Sequence, residues 1–302
     1  MKHLKLTVED IMQPKILFYD DHCQNACFEI CNYLKIDNLP HISGNYFYEL
    51  IEDKFEKKQL KSKHKTSIYT PIFSEGLLER FKNNKHNVLF VYYEQSIKGV
   101  VHISDYNNDI MLQYIQDDIL TLERKLRQLI LLKGFLNNHM IDYLNQKKNE
   151  NNLRDKKKYS NKLRIIAKKK EELEAIGHFQ LFEFSDILEF AESNFTNSIF
   201  KTKDYKFDGN IESGKEILRK LRNLAMHGKN PIEKQSATSI YSFESLKNLS
   251  NSLLVLRKEY SRITNTINSH PAYKRIKLLG NKNKLELISK YRSKSLDYFL
   301  DL

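Results

Sequence analysis

Glycine and proline are scarce in this chain, and tryptophan is absent. Nine Gly and five Pro in 302 residues supply few of the turns that a sandwich or barrel of many short strands requires. This scarcity excludes an all-β architecture over the whole length and favours helix. Hydrophobic residues still make up 40% of the chain, which is enough to bury a core and excludes global disorder. The length allows about two domains.

Long apolar runs are also missing. No stretch of about 18 apolar residues occurs, and the opening residues MKHLKLTVEDIMQ lack the apolar core of a signal peptide. We therefore expect no membrane partner and a cytoplasmic location. Three cysteines cannot form a fully paired disulfide framework, which agrees with a reducing compartment.

The three cysteines recur every four residues, at Cys23, Cys27 and Cys31. On a helix this spacing places them on one stripe, with His22 beside the first, so metal binding must be weighed against core packing. Three stacked thiols do not match the paired C-x2-C knuckles of common zinc sites. Small buried cysteines do fit an apolar face that continues to Leu34. We favour core packing and expect no metal.

Positive charge is in excess. The formal net charge of +12 and the pI of about 9.3 favour a polyanionic partner such as RNA, through phosphate neutralisation. An AT-rich genome would produce the same excess of Lys, so charge alone leaves nucleic-acid binding open. The densest run covers residues 146–172. It is either a solvated helix face or a surface on which lysines, with Arg154 and Arg164, steer RNA.

Residues 7–109 alternate short apolar runs with helical patterns, which predicts mixed α/β structure. A helix is expected over residues 74–82, with Ser74 as its N-cap. A hairpin should follow, formed by NVLFVYY at residues 87–93 and GVVHI at residues 99–103. The segment from ILFYDD to IDNLPHISGNYFYELIEDKF loosely repeats this order around the cysteine helix. We predict an internal duplication.

This arrangement resembles a pair of CBS repeats, the cystathionine β-synthase type module that binds adenine nucleotides between its halves. TVEDIM and VLFVYYEQSIKGVVHISDYN carry the resemblance. In that family an Asp after the second strand grips the ribose, which implies this role for Asp105. The hydroxyl residue that contacts phosphate is replaced by His102, and Ser104 offers a nearby hydroxyl. Alternatively, Asp105 caps the following helix, and the two roles can coexist.

From about residue 109 to the end, apolar residues recur at spacings of three and four, as at Ile119, Leu122 and Leu126, and strand signals disappear. Gly228 is a natural helix stop. Further helices are predicted over residues 178–192, 213–228, 242–263 and 283–302.

The most specific chemical motif is RNLAMH, from Arg222 to His227. It resembles the signature of the HEPN superfamily, in which an Arg, often followed directly by Asn, precedes a His by four to six residues. Chance predicts about one such spacing in a chain of this composition, so the context matters more than the spacing. That context is the late helical position, the following Gly, and the pattern E-x-x-L-R from Glu123 to Arg127 on a preceding helix.

The motif permits RNA chemistry. Asn223 and His227 share a helix face, and the longer Arg222 can swing toward the same cleft. An imidazole can move a proton to or from the RNA 2′-hydroxyl or the leaving oxygen, while a guanidinium stabilises charge on the phosphate. HEPN ribonucleases dimerise so that two copies of the motif face one cleft. The resemblance implies a metal-independent endoribonuclease that leaves a cyclic phosphate and needs no cofactor.

We therefore predict an α+β fold. An N-terminal α/β CBS-pair-like domain over residues 1–109 would sense a ligand, and an all-α HEPN-type helical bundle over residues 110–302 would be the nuclease. The predicted catalytic residues are Arg222, Asn223 and His227. The predicted nucleotide-binding residues are Asp105, His102 and Ser104.

The leading hypothesis is a dimeric endoribonuclease of a defence or toxin system, acting on RNA and gated by an adenine nucleotide. One alternative is a noncatalytic RNA-binding or regulatory protein, and another is a toxin neutralised by a separate antitoxin. A third interpretation is that Arg222 and His227 are ordinary cations at a helix end, where positive charge is favoured.

Overall fold

The computed structural model describes residues 6–84, 87–150, 153–169, 179, 181–194, 204–207, 210–233, 241–271 and 273. Helices and strands both occur, so the fold is α+β. The chain forms two compact units, the first comprising Met1–Ile115 with Leu224–Asn251 and the second Gln116–Asn223 with Ser252–Leu302. The boundary predicted between residues 109 and 110 stays a prediction.

The first sheet of the first unit follows the cysteine helix. Helices α1 (Val8–Ile11) and α2 (Gln24–Leu34) precede the antiparallel strands β1 (Asn38–Pro40), β2 (Tyr46–Ile51) and β3 (Lys54–Gln59). Before α2, Tyr19 forms a parallel bridge with His41. A helix thus connects two parallel segments, and an antiparallel hairpin follows.

The second sheet repeats this order. Strand β4 (Lys65–Ser67), helix α3 (Glu75–Lys82), and strands β5 (Val88–Tyr93) and β6 (Ser96–His102) follow in sequence. Here β4 pairs parallel with β5, and β5 pairs antiparallel with β6. The predicted helix is confirmed and follows Ser74, although the Ser74 side chain makes no capping hydrogen bond. The predicted hairpin is also confirmed, but its second strand begins at Ser96 rather than at Gly99. The common order and pairing sense of the two sheets agree with the predicted duplication.

Two of the three cysteines lie in the core of the first unit. Cys27 and Cys31 pack with Tyr19, Leu39 and Tyr48, so core packing is confirmed for this pair. Cys23 is exposed. It ends the 3-10 turn Asp21–Cys23 and precedes the first residue of α2, and the predicted stripe of three is therefore wrong at its first position.

Six further helices follow among the described residues. They are α4 (Asp109–Leu132), α5 (Asn137–Glu150), α6 (Leu153–Lys168), α7 (Phe184–Asn194), α8 (Gly214–Met226) and α9 (Phe243–Ser269). The predicted stop at Gly228 is confirmed by its φ of 59°. The helix predicted over residues 283–302 lies outside the described residues. Among those described, no helix combines the length and apolar composition needed to cross a membrane.

The prediction that residues 110–302 are entirely helical is wrong for a hairpin within the described residues. Strands β7 (Asp204–Phe207) and β8 (Asn210–Ser213) form an antiparallel hairpin in the second unit. The sequence between them is Asp-Gly, the dipeptide that most favours a tight hairpin turn. Each strand has only four residues, too few for the alternation of apolar and polar residues to stand out from a helical pattern.

A buried arginine anchors the core of the second unit. Arg127 is 5% exposed, pairs with Glu123 one helical turn away, and donates hydrogen bonds to the carbonyls of Phe179 and Phe182. The pattern from Glu123 to Arg127 thus fastens the chain segment that precedes α7. Breaking such a buried charge pair costs several kcal/mol. The E-x-x-L-R pattern from Glu123 to Arg127 therefore has a structural role.

Candidate functional site

The predicted catalytic residues lie at the end of α8, which is amphipathic. Leu218, Leu221 and Ala225 are buried. Because successive residues turn by about 100° around a helix, Asn223 and His227 face away from this stripe, and both are exposed. Arg222 lies on the flank between the two faces and is half-buried. The predicted common face of Asn223 and His227 is therefore observed, and in a single chain it is open to solvent.

The end of α8 is fixed by its backbone. Gly228 adopts φ 59°, and the Lys229 N–H donates to the Leu224 carbonyl at 3.1 Å, which is the hydrogen bond of a Schellman motif. Four residues after Gly228, the buried Ile232 exchanges two hydrogen bonds with the Asn107 side chain, at 2.7 and 2.9 Å. These contacts determine where the chain leaves the motif, and His227 is placed at the helix cap.

Arg222, Asn223 and His227 differ in their side-chain contacts. Arg222 Nη1 donates to Asn223 Oδ1 at 3.3 Å, so the structure brings these two residues together. His227 shares the exposed face with Asn223, but its ring makes no hydrogen bond to any residue that the structure describes. The imidazole is thus accessible to a substrate or to a second protein chain.

The charge of Arg222 is less compensated than that of its neighbours on α8. Lys215 pairs with Glu192 at 3.1 Å, Arg219 pairs with Glu216 at 2.7 Å, and Lys220 pairs with Glu212. Within the described part of the chain, Arg222 has no carboxylate at ion-pairing distance, and its partner is the neutral amide of Asn223. A guanidinium in this setting is suited to a phosphate.

A cluster of charges lies near Arg222 in the second unit. Lys162 of α6 contacts both carboxylate oxygens of Asp186 and one of Glu183, all at 2.8 Å. Burial opposes ionisation of Glu183, but the hydrogen bond and charge of Lys162, with the charges of Lys158 and Arg222, hold its pKa below the usual value. Three cations therefore share a neighbourhood with two carboxylates, which leaves a local positive excess.

The outer face of α6 is basic. Lys157, Arg164 and Lys168 are exposed, and at about 100° per residue they lie on one side of the helix. The buried Tyr159 and Ile166 lie on the other side. The dense positive run is thus a solvated helix face in α6, and its geometry is also that of a surface for steering RNA. The side chain of Arg154 lies outside the described residues.

The three predicted nucleotide-binding residues form one network where β6 ends. The His102 N–H donates to Asp105 Oδ2 at 2.7 Å, and the Gln13 amide donates to Asp105 Oδ1 at 3.1 Å. The Ser104 N–H donates to His102 Nδ1 at 3.0 Å, and the Ser104 hydroxyl lies 2.7 Å from the same nitrogen. The structure therefore brings Asp105, His102 and Ser104 together.

This network also caps a helix, but not the one expected. The Asp105 carboxylate caps the start of the 3-10 turn Ile103–Tyr106 by accepting from the His102 N–H. Helix α4 is instead capped by Asn108, whose Oδ1 accepts from the Met111 N–H at 2.8 Å. Burial raises the pKa of Asp105, against the lowering effect of its two donors. Burial lowers the pKa of His102. The carboxylate still has unused acceptor positions, because two oxygens offer about four.

One group of candidate site residues could not be found from the sequence, which shows no chemical motif beyond residue 235. The structure places Tyr205 of β7 beside Arg257, Glu259 and Arg262 of α9, where they line a cleft. The sequence signal was the group of three basic residues within LRKEYSR. This signal does not predict a cleft by itself, because Tyr205 comes from a hairpin that the sequence pattern does not predict.

No group of three or more His, Cys, Asp or Glu side chains among the described residues is placed to hold a metal ion. Comparisons of the chain with models of protein families, with curated proteins and with solved structures return no match.

Proposed function

We propose that this protein is a dimeric, metal-independent endoribonuclease of the HEPN type, with Arg222, Asn223 and His227 as its catalytic residues. The observation that carries the proposal is the end of α8. There an exposed imidazole and an exposed amide share one face, beside a guanidinium that bonds to the Asn223 amide oxygen and has no described carboxylate at ion-pairing distance.

The chemistry requires each residue in a distinct role. The RNA 2′-oxygen attacks the adjacent phosphorus while the bond from phosphorus to the 5′-oxygen breaks, which gives a 2′,3′-cyclic phosphate and a 5′-hydroxyl. One imidazole accepts the 2′-hydroxyl proton, and another protonates the leaving oxygen. Arg222 would stabilise charge on the phosphoryl oxygens. Asn223, which holds Arg222 through Oδ1, keeps its NH2 group for the phosphate.

The need for two imidazoles supports a dimer. Each copy supplies one His227, and that residue is exposed at a helix end. A two-fold axis near this helix end would bring two copies of the motif to one RNA strand, since a two-fold interface pairs the same surface of both subunits. The basic face of α6 would raise the local concentration of RNA.

The cleavage test uses total RNA in the presence of EDTA. We expect the wild type to cleave, and we expect His227→Ala to lower the rate by roughly 10²- to 10⁴-fold, the usual contribution of a general acid or base. His22→Ala is the matched control, because His22 is another exposed histidine and its loss should leave the rate unchanged. An unchanged rate in His227→Ala would contradict the proposal. RNA binding without cleavage by any variant would favour the noncatalytic alternative.

We further infer that the first unit binds an adenine nucleotide, with Asp105 on the ribose and His102 and Ser104 near the phosphates. The support is their common hydrogen-bond network and the remaining acceptor capacity of Asp105. Such a ligand would gate cleavage only if it binds two states of the protein with different affinity. A defence or toxin role, with or without an antitoxin, would require such control.

Calorimetric titration with AMP, ADP and ATP tests this inference. Asp105→Ala removes a charged hydrogen-bond acceptor, worth about 1.5–3 kcal/mol, and should weaken binding roughly 10- to 100-fold. Asn108→Ala removes the cap of α4 and controls for loss of helix capping. Equal affinity in wild type and Asp105→Ala would remove Asp105 from the site.

A further inference from the structure

A cleft in the second unit has the size and chemistry of a ligand site. It lies between β7 and α9, and its volume is about 580 Å³, within the range of roughly 300–1,000 Å³ typical of such sites. The residues that line it include Tyr205, Arg257, Lys258, Glu259, Arg262 and Asn265.

A buried carboxylate organises the cleft. Glu259 is 1% exposed, accepts a hydrogen bond from the Tyr205 hydroxyl at 2.8 Å, and lies 2.6 Å from Arg262 Nη2. One acid thus fixes an aromatic ring and a guanidinium at the same time. Because both are held before any ligand arrives, less conformational entropy is lost on binding.

Among the described residues that line the cleft, positive side chains outnumber negative ones. Arg257, Lys258 and Arg262 supply three cations, whereas Glu259 is already paired with Arg262. Another described acid near Arg257 is Asp118, whose pKa burial raises to about 6, although the charge of Arg257 lowers it. The cleft is therefore suited to an anion, and arginine forms bidentate contacts with phosphate.

Aromatic surface lies beside these cations. The rings of Tyr205 and Phe207, two residues apart on β7, are nearly parallel, with centroids 6.3 Å apart and an interplanar angle of 5°. Lys258 Nζ lies 5.7 Å from the centre of the Tyr205 ring. Both aromatic residues are half-buried. A cationic groove with an aromatic ring is the combination that binds single-stranded nucleic acid without sequence readout.

We propose that this cleft binds a nucleotide of single-stranded RNA, with the phosphate on Arg257, Lys258 and Arg262 and the base against Tyr205. Single-stranded RNA is favoured over a duplex because stacking on a protein ring requires an unpaired, unstacked base. The site is distinct from the residues at the end of α8 and would hold a part of the RNA away from the cleaved bond. Its existence does not depend on catalysis.

The test is a binding measurement on full-length protein that carries His227→Ala, which removes the proposed cleavage from the readout. Fluorescence anisotropy with a labelled oligouridine reports binding. Lys258→Glu reverses the charge of an exposed cleft residue, and Lys206→Glu is the matched control, because Lys206 is exposed at the intervening position of β7. Both variants change the net charge equally, so long-range attraction falls equally in both.

We expect Lys258→Glu to weaken oligouridine binding roughly tenfold and to reduce its salt dependence by about the contribution of one phosphate contact. Lys206→Glu should change the affinity less than twofold. Tyr205→Leu should weaken binding of the oligouridine but not of an RNA duplex. Equal effects of Lys258→Glu and Lys206→Glu would overturn the proposal. So would an ATP affinity that depends on Lys258 while RNA affinity does not, because the ligand would then be a free nucleotide.

Discussion

Arg127 and Arg222 show how the surroundings of one residue type separate structural from chemical roles. Arg127 is buried and bonded to a carboxylate and two carbonyls, so its charge is fully used within the protein. Arg222 is half-buried and its described partner is one neutral amide. Among the described residues, no carboxylate lies at ion-pairing distance from it. The sequence shows two arginines in helices, and it does not contain this distinction.

The cysteines give a residue-scale prediction. Cys31 is 1% exposed, and burial raises the pKa of its thiol to about 11, so little reactive thiolate forms near neutral pH. Cys27 is also buried, whereas Cys23 is exposed. Titration of the native protein with Ellman's reagent should show one fast thiol, which Cys23→Ser removes, and all three thiols should react after denaturation. Fast reaction of two or more native thiols would contradict this description of the core.

Asp118 gives a pH-dependent prediction. Burial raises its folded pKa to about 6, above the unfolded value of about 3.9. Ionisation of Asp118 therefore lowers stability progressively as the pH rises from about 4 to about 6, and the full cost is present above that window. Asp118→Asn should stabilise the protein at pH 7 by up to about 3 kcal/mol and should have little effect at pH 4.

The measurement is urea unfolding of wild type and Asp118→Asn at both pH values. Asp117→Asn is the control, because Asp117 is the adjacent carboxylate and is exposed, and its stability should follow that of the wild type. A loss of stability in Asp118→Asn at pH 7 would contradict this prediction, because the attraction between the charges of Asp118 and Arg257 would then outweigh the cost of burial.

At the scale of elements, an ion pair holds α6 against α7. Lys162 contacts Asp186 and Glu183, and the Asp186 side chain is only 5% exposed. Lys162→Met should lower the free energy of unfolding by about 3–5 kcal/mol, because it leaves a buried carboxylate without its cation. The exposed Lys157 provides the control, since Lys157→Met should change stability by less than about 0.5 kcal/mol. Equal denaturation midpoints for the two variants would contradict this role.

Elements with local start and stop signals could be predicted from the sequence. Helix α3 begins after Ser74, as the preference for serine at helix starts predicts. Helix α8 stops before Gly228, which adopts the left-handed conformation that ends helices. The hairpin β7–β8 was missed, since its strands are too short for a clear pattern. Contacts such as Asn107 with Ile232, 125 residues apart, depend on the folded chain and have no local signature.

The candidate sites likewise contain features that local spacing predicts and features that depend on distant contacts. The shared face of Asn223 and His227 follows from helical spacing alone and was predicted. Asp105 accepts one hydrogen bond from His102 and another from the distant Gln13. The sequence predicts a helix-capping role for Asp105, but it gives no sign of the contact with Gln13. The cleft around Glu259 could not be predicted, because its aromatic ring comes from a segment 54 residues away in sequence.

At the scale of the whole molecule, the proposed chemistry requires two chains. We expect a solution mass of twice 35.9 kDa by light scattering. On dilution toward the dissociation constant of the dimer, the cleavage rate per chain should fall, because active dimers are lost by mass action. A monomeric mass with a constant rate per chain would contradict the two-imidazole mechanism.

The central claim is that His227 transfers protons during cleavage at the RNA 2′-hydroxyl. Mass spectrometry of the ends of the RNA products, formed in EDTA by wild type and by His227→Ala, tests it most directly. We predict 2′,3′-cyclic phosphate and 5′-hydroxyl ends from the wild type, and almost none from His227→Ala. Products with 3′-hydroxyl and 5′-phosphate ends, or cyclic phosphate ends formed equally well by His227→Ala, would contradict the claim.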